Sequence, residues 1–367
     1  MQRYEIRGAG PQDEDALLAL ARFLNSVNLP NDRESIRRLL MGSEASFSGA
    51  VPPAQRRYVF VLWDLVEQRA VGTSMIVAQH GQREAPYIYF DVIPEEKYSH
   101  AVDRHFNHQL LRLGFSYDGP TELGGLVVDP SYRKAPERLG LLISYVRFLF
   151  IAARRGDFKD ELIAELLPPL LPDGTSHLWE ALGRRFTGMS YAEADFLSSQ
   201  DKAFIRDLFP SGVIHASLLS EDAQRVIGQV GAQTKGVEKM LRRIGFTYAE
   251  RVDPFDGGPH FIADTDRVTL VRHTLALPTA VAPGDAGVIH LVGRLTDAPP
   301  YFTALRVPAV IEAGAVKLTR EDQEQLGATP GEPVYALPLS PRATLASDAE
   351  RARPEGSAEQ GEEQASS

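Results

Sequence analysis

The sequence predicts an α+β protein with a small β-rich region toward its C-terminal end, on three observations. Two runs rich in branched and aromatic residues, YVFVLWD at 58–64 and VGTSMIVAQ at 71–79, flank a short polar stretch and read as an antiparallel hairpin. A strand at 123–128 (LGGLVV) feeds a turn opened by Asp129 and Pro130, a basic loop, and a long apolar helix from about Gly140. From residue 268 the pattern changes to short branched runs divided by Pro and Gly, among them VTLVR, AGVIHLVGRL and YFTALRVPAVI.

The strand–loop–helix stretch at 127–155, VVDPSYRKAPERLGLLISYVRFLFIAARR, is the junction around which the chain is organised. A helix start offers unpaired N–H groups at the positive end of its dipole, and Arg133, Lys134 and Arg138 stand beside this one. No Gly-Lys-Ser/Thr follows, so it is not a Walker loop; Gly140 stands alone, so it is not a dinucleotide fingerprint. An acyl-CoA pyrophosphate is the best-matched anion. The competing reading is an ordinary connection with solvated basic residues.

In chain order, a strand at 4–7 leads to an acidic helix start at 11–15 with apolar periodicity through residue 24, and a second helix runs over 33–40. A loop at 42–53 precedes the hairpin, and YIYFDV at 87–92 is another strand. Gly124 and Gly125 permit a bulge in the strand that delivers the central loop. The segment 162–167 is a strand or the end of a helix. Helices follow at 179–186 and 201–208, the latter with Lys202 and Arg206 on one face, then two short helices over 222–245 around VIGQVGAQT. A strand at 246–252 ends at the turn residues Asp253, Asp256, Gly257 and Gly258.

These boundaries divide the chain into a large unit at 1–266, a small β-rich unit at 267–341, and a tail at 342–367 too poor in large apolar residues to fold. With no cysteine among 367 residues, disulfides, thiolate metal sites and a Cys nucleophile are excluded. A net charge of -10 argues against general nucleic-acid binding. The start MQRYEIRGAGPQDED lacks a signal-peptide core, and no stretch reaches the roughly 18 apolar residues of a membrane span. A cytoplasmic protein without a membrane partner is expected.

Several stretches, in order from about residue 29 to 266, resemble the arginine N-succinyltransferase family, a branch of the GNAT acyl-CoA N-acyltransferases: LPNDRESIRRLL, TELGGLVVDPSYRK, LGLLISYVRFLFIAA, WEALGRRFTGMSYAEADFL, EDAQRVIGQVGAQT and LRRIGFTYAERVDPFDGGP. The resemblance implies a GNAT fold with one splayed parallel strand pair and a β-rich C-terminal extension. It implies transfer of succinyl from succinyl-CoA to the α-amine of arginine, or of ornithine, in arginine catabolism. It further implies homo- or hetero-oligomers and no permanently bound cofactor, succinyl-CoA being a co-substrate.

On this resemblance the acyl-CoA contact falls on Leu126 and the family's Arg-Lys pair on Arg133 and Lys134; Val127 and Val128 beside the first, and Arg138, Gly140 and Leu141 at the helix start, complete the candidate acyl-CoA site. Where family members carry a Gly-x-Gly loop, this chain has Ala135, Pro136, Glu137, Arg138 and Leu139 before a lone Gly140. Where they read VIGQVHPQT, with the histidine as proton donor, this chain has Gly231. Further departures are Leu166, Leu167 and Pro168 after the Ala-Glu pair, and FLNSVNLP at 23–30 in place of a Gly-rich run.

Amine acylation needs a base to free the amine and an acid for the leaving thiolate, tasks suited to histidine. His215 is the candidate substitute for the lost histidine; a packed, hydrogen-bonded histidine is the alternative. Asp253 and Asp256 are candidates to hold a guanidinium or α-amine, an Asp-Gly turn chosen for backbone geometry being the alternative; Glu165 and Asp91 could bind a cationic acceptor or act through water as a base, or be paired carboxylates at strand ends. Loss of the acid at Gly231 also admits a catalytically weak partner subunit, or a different amine as acceptor. His100, His105 and His108 read as helix-borne and match no zinc motif, so no metal is expected.

Overall fold

A computed structural model describes residues 1–23, 28–83, 85–198, 201–282, 284 and 287–339. The tail expected at 342–367 lies outside the described residues, as do residues 24–27 of the early arm.

Along the chain the strands are β1 (Tyr4–Gly8), β2 (Arg57–Asp64), β3 (Arg69–Val77), β4 (Tyr87–Ser99), β5 (Arg104–Ser116), β6 (Thr121–Val128), β7 (Glu161–Glu165), β8 (Ile214–His215), β9 (Thr247–Val252), β10 (Pro259–Asp264), β11 (Leu275–Val281), β12 (Val288–Leu295), β13 (Phe302–Glu312), β14 (Ala315–Leu318) and β15 (Pro333–Pro338). The helices that cover the sheet are α1 (Glu14–Ala21), α2 (Arg33–Phe47) and α3 (Leu139–Ala153).

The strands join in the order β12-β15-β11-β14-β13-β1-β2-β3-β6-β7-β10-β9-β4-β5-β8. Because β12 also pairs with β13, the last five strands close on themselves into a small barrel, filled by Val292, Leu305, Val307, Val316, Leu326 and Val334. Barrel and main sheet are continuous, since β13 pairs antiparallel with β1 through Ile6 and Ala304.

The near-unbroken apolar run of β2 follows from burial on both faces. Tyr58, Phe60 and Leu62 face α3, whereas Val59 and Val61 face α1 and α2 with Leu17, Leu20, Ile36 and Leu40. Helix α3 is apolar around most of its circumference because it lies between the sheet and the barrel. Its Phe150 packs edge-on against Phe47, Phe60 and Phe302, with ring centroids 5.3–5.4 Å apart. A Phe150→Ala change would cost about 3–5 kcal/mol.

The expected helix at 100–108 is corrected. His100 lies in the turn after β4, and His105 and His108 sit on β5, not on a helix. At an odd spacing they face opposite sides of the strand. The outer part of the β4–β5 hairpin stands in solvent on both faces, so its sequence lacks the alternation that marks a half-buried strand. Strand β10 was hidden by the Asp-Gly-Gly turn that opens it. The choice left open at 162–167 resolves to strand β7.

Candidate active site

Strands β6 and β7 run parallel but pair only at their starts, Thr121 with Leu162 and Glu122 with Ile163. Beyond those pairs they diverge, and a cavity of about 260 Å³ opens between them. Leu123–Leu126 line one side and Ala164–Leu167 the other. This is the splayed pair expected of a GNAT fold.

A bulge sits at the mouth of the splay. Gly125 and Leu126 of β6 stand opposite the single Ser74 of β3. Gly125 takes φ +58, and a Cβ there would press on the Met75 side chain at 3.0 Å, so glycine satisfies both backbone and space. Leu126, in this bulge, lines the cavity.

Carboxylates dominate the opposite wall. Glu165 projects from the end of β7, Asp253 and Asp256 from the turn between β9 and β10, and Asp195 from the helix Tyr191–Ser198; Lys202 joins them. Asp253 Oδ1 accepts from the Phe255 amide at 2.7 Å, and Asp256 Oδ1 from the Gly258 amide at 2.7 Å. The Asp-Gly turn therefore shapes the backbone and presents carboxylates to the cavity at once. Burial pushes Glu165 up to about 7, and the neighbouring Glu122 and Asp253 charges add to it. Asp195 rises to about 6 for the same reasons, burial and then Asp253. Asp256 is held well above the usual carboxylate range by burial and by Asp253.

Two histidines, neither anticipated from the sequence, complete the site. His80 lines the cavity, donating Nδ1–H to Glu122 Oε2 at 2.9 Å, while its Nε2 lies 3.7 Å from Glu165 Oε1. Burial opposes the imidazolium, but the Glu122 charge outweighs it and His80 is raised. Glu122 in turn is lowered to about 2: burial works against its charge, and His80 and the Asn28 amide, 2.6 Å from Oε1, overcome it. His260 is fully buried and pushed down to about 3 by burial and by His80. Its Nδ1 meets the Tyr87 hydroxyl at 2.6 Å, and Nε2 lies 3.6 Å from Glu165 with no hydrogen-bond partner. Glu165, Asp253 and His260 bring one ligand atom each within 4.8 Å of one another, the only such metal-capable group among the described residues.

Such a cavity offers a cation-seeking wall, a carboxylate raised to about 7 and a histidine whose charged form Glu122 favours. It suits a positively charged amine beside an activated acyl group.

A family profile described as arginine N-succinyltransferase beta subunit matches residues 4–270. An arginine N-succinyltransferase of Yersinia pestis is 33% identical over 322 residues, covering 85% of this chain and 91% of that protein. The arginine N-succinyltransferase subunit beta of Pseudomonas aeruginosa is 33% identical over 339 residues, with 91% and 98% covered. The chain belongs to the arginine N-succinyltransferase family. The solved structure of arginine/ornithine succinyltransferase subunit AI from Pseudomonas aeruginosa superposes with a TM-score of 0.79 at 27% identity, over 93% of this chain and all of that one.

Within this family frame the residues expected from sequence fall in different places. Leu126, Glu165, Asp253 and Asp256 line the cavity. Val127 and Val128 are buried in the cores on the two faces of the sheet and do not line the cavity. Arg133, Lys134, Arg138 and Gly140 are exposed around the start of α3, with Leu141 half-buried behind them. Arg138 caps the helix at φ 60, taking without glycine the left-handed turn for which a Gly-x-Gly loop is suited.

His215 is displaced from the site. It lies on β8, at the far edge of the sheet, with four strands between it and β7. There it is half-exposed, 3.9 Å from Glu95 and edge-on to His108. That position removes it as the substitute acid. Asp91 is also elsewhere, paired with Arg112 at 3.0 Å and Arg251 at 3.2 Å.

Gly231 does not line the cavity. It is buried against the segment after β7, donating its N–H to Leu167 O at 2.8 Å. A Cβ there would lie 2.6 Å from Pro168 O and 2.9 Å from Leu167 O. The two departures noted in the sequence, Gly231 and Leu166–Leu167–Pro168, are therefore one packing unit. The signal that would have found His80 is its place three residues beyond the end of β3, which delivers it to the start of β6.

Proposed function

We propose that this protein transfers the succinyl group of succinyl-CoA to the α-amine of L-arginine, with ornithine as an alternative acceptor. The observation that carries the reading is the pairing, across one cavity at the splayed strands, of a carboxylate with a histidine that a second carboxylate engages: Glu165 lies 3.7 Å from the Nε2 of His80, whose Nδ1 meets Glu122.

Succinyl-CoA would bind with its pyrophosphate at the start of α3, beside Arg133, Lys134 and Arg138, and its pantetheine between β6 and β7. The cationic side chain of the acceptor would meet Asp253, Asp256 and Asp195, whose burial costs least when a cation sits among them. Glu165, with a pKa near the working pH, takes a proton from the α-ammonium group. The freed amine attacks the thioester carbonyl, and the oxyanion meets the Leu126 N–H at the bulge. On collapse the C–S bond breaks, and His80 gives its Nε2 proton to the departing thiolate. The protonated Glu165 then returns a proton to His80, leaving both groups as they began, and the second proton of the acylated nitrogen passes to solvent. In this scheme His80, held by Glu122, does the work that the resemblance assigns to a histidine at position 231.

A catalytically weak partner subunit is the less favoured reading, because the cavity retains both an acid and a base. Assembly with other copies or with a related subunit follows from the subunit names of the relatives and is part of the proposal. Among the described residues no helix is long and apolar enough to cross a membrane. The test is product identification: incubation with succinyl-CoA and L-arginine, then mass spectrometry and NMR. N-α-succinylarginine is expected; succinyl-CoA left intact with arginine, ornithine and other amines alike would overturn the proposal.

A further inference from the structure

Near the acidic wall stands a buried cation, Arg147, that has no carboxylate within ion-pair distance among the described residues. Lys202 and His80 also line the cavity, but Arg147 is more deeply buried than either. It projects from the middle of α3, is 3% exposed, and still lines the cavity. Its protein contacts are neutral: Nε to Ser144 O at 3.1 Å, one terminal nitrogen to Ser144 Oγ at 2.8 Å, the other to Gly124 O at 3.5 Å. Among the described residues it has no ion pair within 4.0 Å. Burial alone, with no carboxylate to offset it, pushes the guanidinium down to about 9, so it is still charged at neutral pH.

A guanidinium buried without a counter-ion is costly to the empty protein. That cost is recovered when a ligand brings the missing negative charge. Guanidinium also matches the planar, two-oxygen geometry of a carboxylate. Residue 147 lies eight residues beyond the first residue of α3, about 12 Å along the axis. It therefore stands well inside the cavity from the pyrophosphate end, next to the bulge where the thioester would sit.

We propose that Arg147 is the receptor for a substrate carboxylate, and that its place on the β6 side assigns it to the terminal carboxylate of the acyl group. The inference rests on the acyl-transfer reading. It makes Arg147 the residue that selects a dicarboxylic over a monocarboxylic acyl-CoA. The acceptor's α-carboxylate is the second source of the same chemistry.

The test compares the parent with Arg147→Met, similar in length but uncharged, and with Arg147→Lys. Binding of succinyl-CoA, butyryl-CoA and CoA is measured by calorimetry, and turnover is measured with arginine and with agmatine, which is arginine without its carboxylate. Arg147→Met is expected to lose roughly 10²-fold in succinyl-CoA affinity and kcat/KM, with butyryl-CoA little changed and Arg147→Lys intermediate. Its melting temperature should hold or rise, since an unpaired buried charge has been removed. Loss of the arginine-over-agmatine preference instead would keep Arg147 as a carboxylate receptor and move it to the acceptor. An equal fall for all four substrates, or none, would overturn the proposal. A parent that binds no succinyl-CoA at all would overturn the acyl-transfer reading itself, and Arg147's role with it.

Discussion

His80 Nδ1 lies 2.9 Å from Glu122 Oε2 across the start of the splayed strands, and this contact fixes which face of the imidazole meets the cavity. With Nδ1 engaged, Nε2 is the atom left to exchange protons, and Glu165 is 3.7 Å away. Glu122 is in turn anchored by Asn28, so the pair is held from the side opposite the acidic wall. The same carboxylate that raises the histidine also orients it.

Glu165 governs the pH dependence on this account. Its carboxyl is pushed up to about 7, so kcat/KM should rise with pH between 6 and 8 as the base form appears. Glu165→Gln should lower kcat about 10²-fold and remove that limb from the profile. The same limb in the variant would assign the base elsewhere.

Stability should respond in the opposite sense. Glu165 and Asp195 have folded pKa values raised to about 7 and about 6, above those of the unfolded chain. Their contribution is fully present below the unfolded carboxylate range and is lost as pH rises through 6 to 7. Glu122, lowered to about 2, acts only at the acid end, where stability falls as it protonates. Melting curves of the ligand-free protein should therefore drop between pH 5 and 8, and arginine should restore more at pH 8 than at pH 5. A melting temperature that climbs over this range would contradict the assignment of an unrelieved acidic wall.

Restoring the histidine at position 231 should not restore a proton donor. The first side-chain atom already meets Pro168 O at 2.6 Å, and main-chain atoms give way less readily than side chains. Gly231→Ala should cost about 1–3 kcal/mol by denaturant unfolding, and Gly231→His should be no more active than the parent. A gain of activity in Gly231→His would show that the segment after β7 can move aside and that the family proton route persists.

His215→Ala should leave kcat/KM at the parent value, because four strands separate β8 from β7. A loss of tenfold or more with unchanged folding would bring that edge of the sheet into the chemistry.

Much of the framework was legible in the sequence because local pattern and burial agree there. The β2–β3 hairpin, the strand into the basic loop and the long α3 all carry the period of their environment. Glu165, Asp253 and Asp256 were legible as carboxylates at element ends. His80 and Glu122 were not, since their meeting depends on antiparallel pairing of β3 with β6, which no local pattern encodes. His215 drew attention through chemistry alone, without the topology that places it at an edge. Arg147 was concealed by its setting: in an apolar helix a single arginine reads as a snorkelling surface residue, and only the packing shows it buried.

The most direct test of the central claim, that acyl transfer here runs through His80 in place of a histidine at 231, is steady-state thiol release from succinyl-CoA with L-arginine by the parent and by His80→Gln. The account predicts turnover by the parent and a loss of about 10²-fold or more in kcat in the variant, with KM for succinyl-CoA little changed. Equal turnover by both proteins would contradict it.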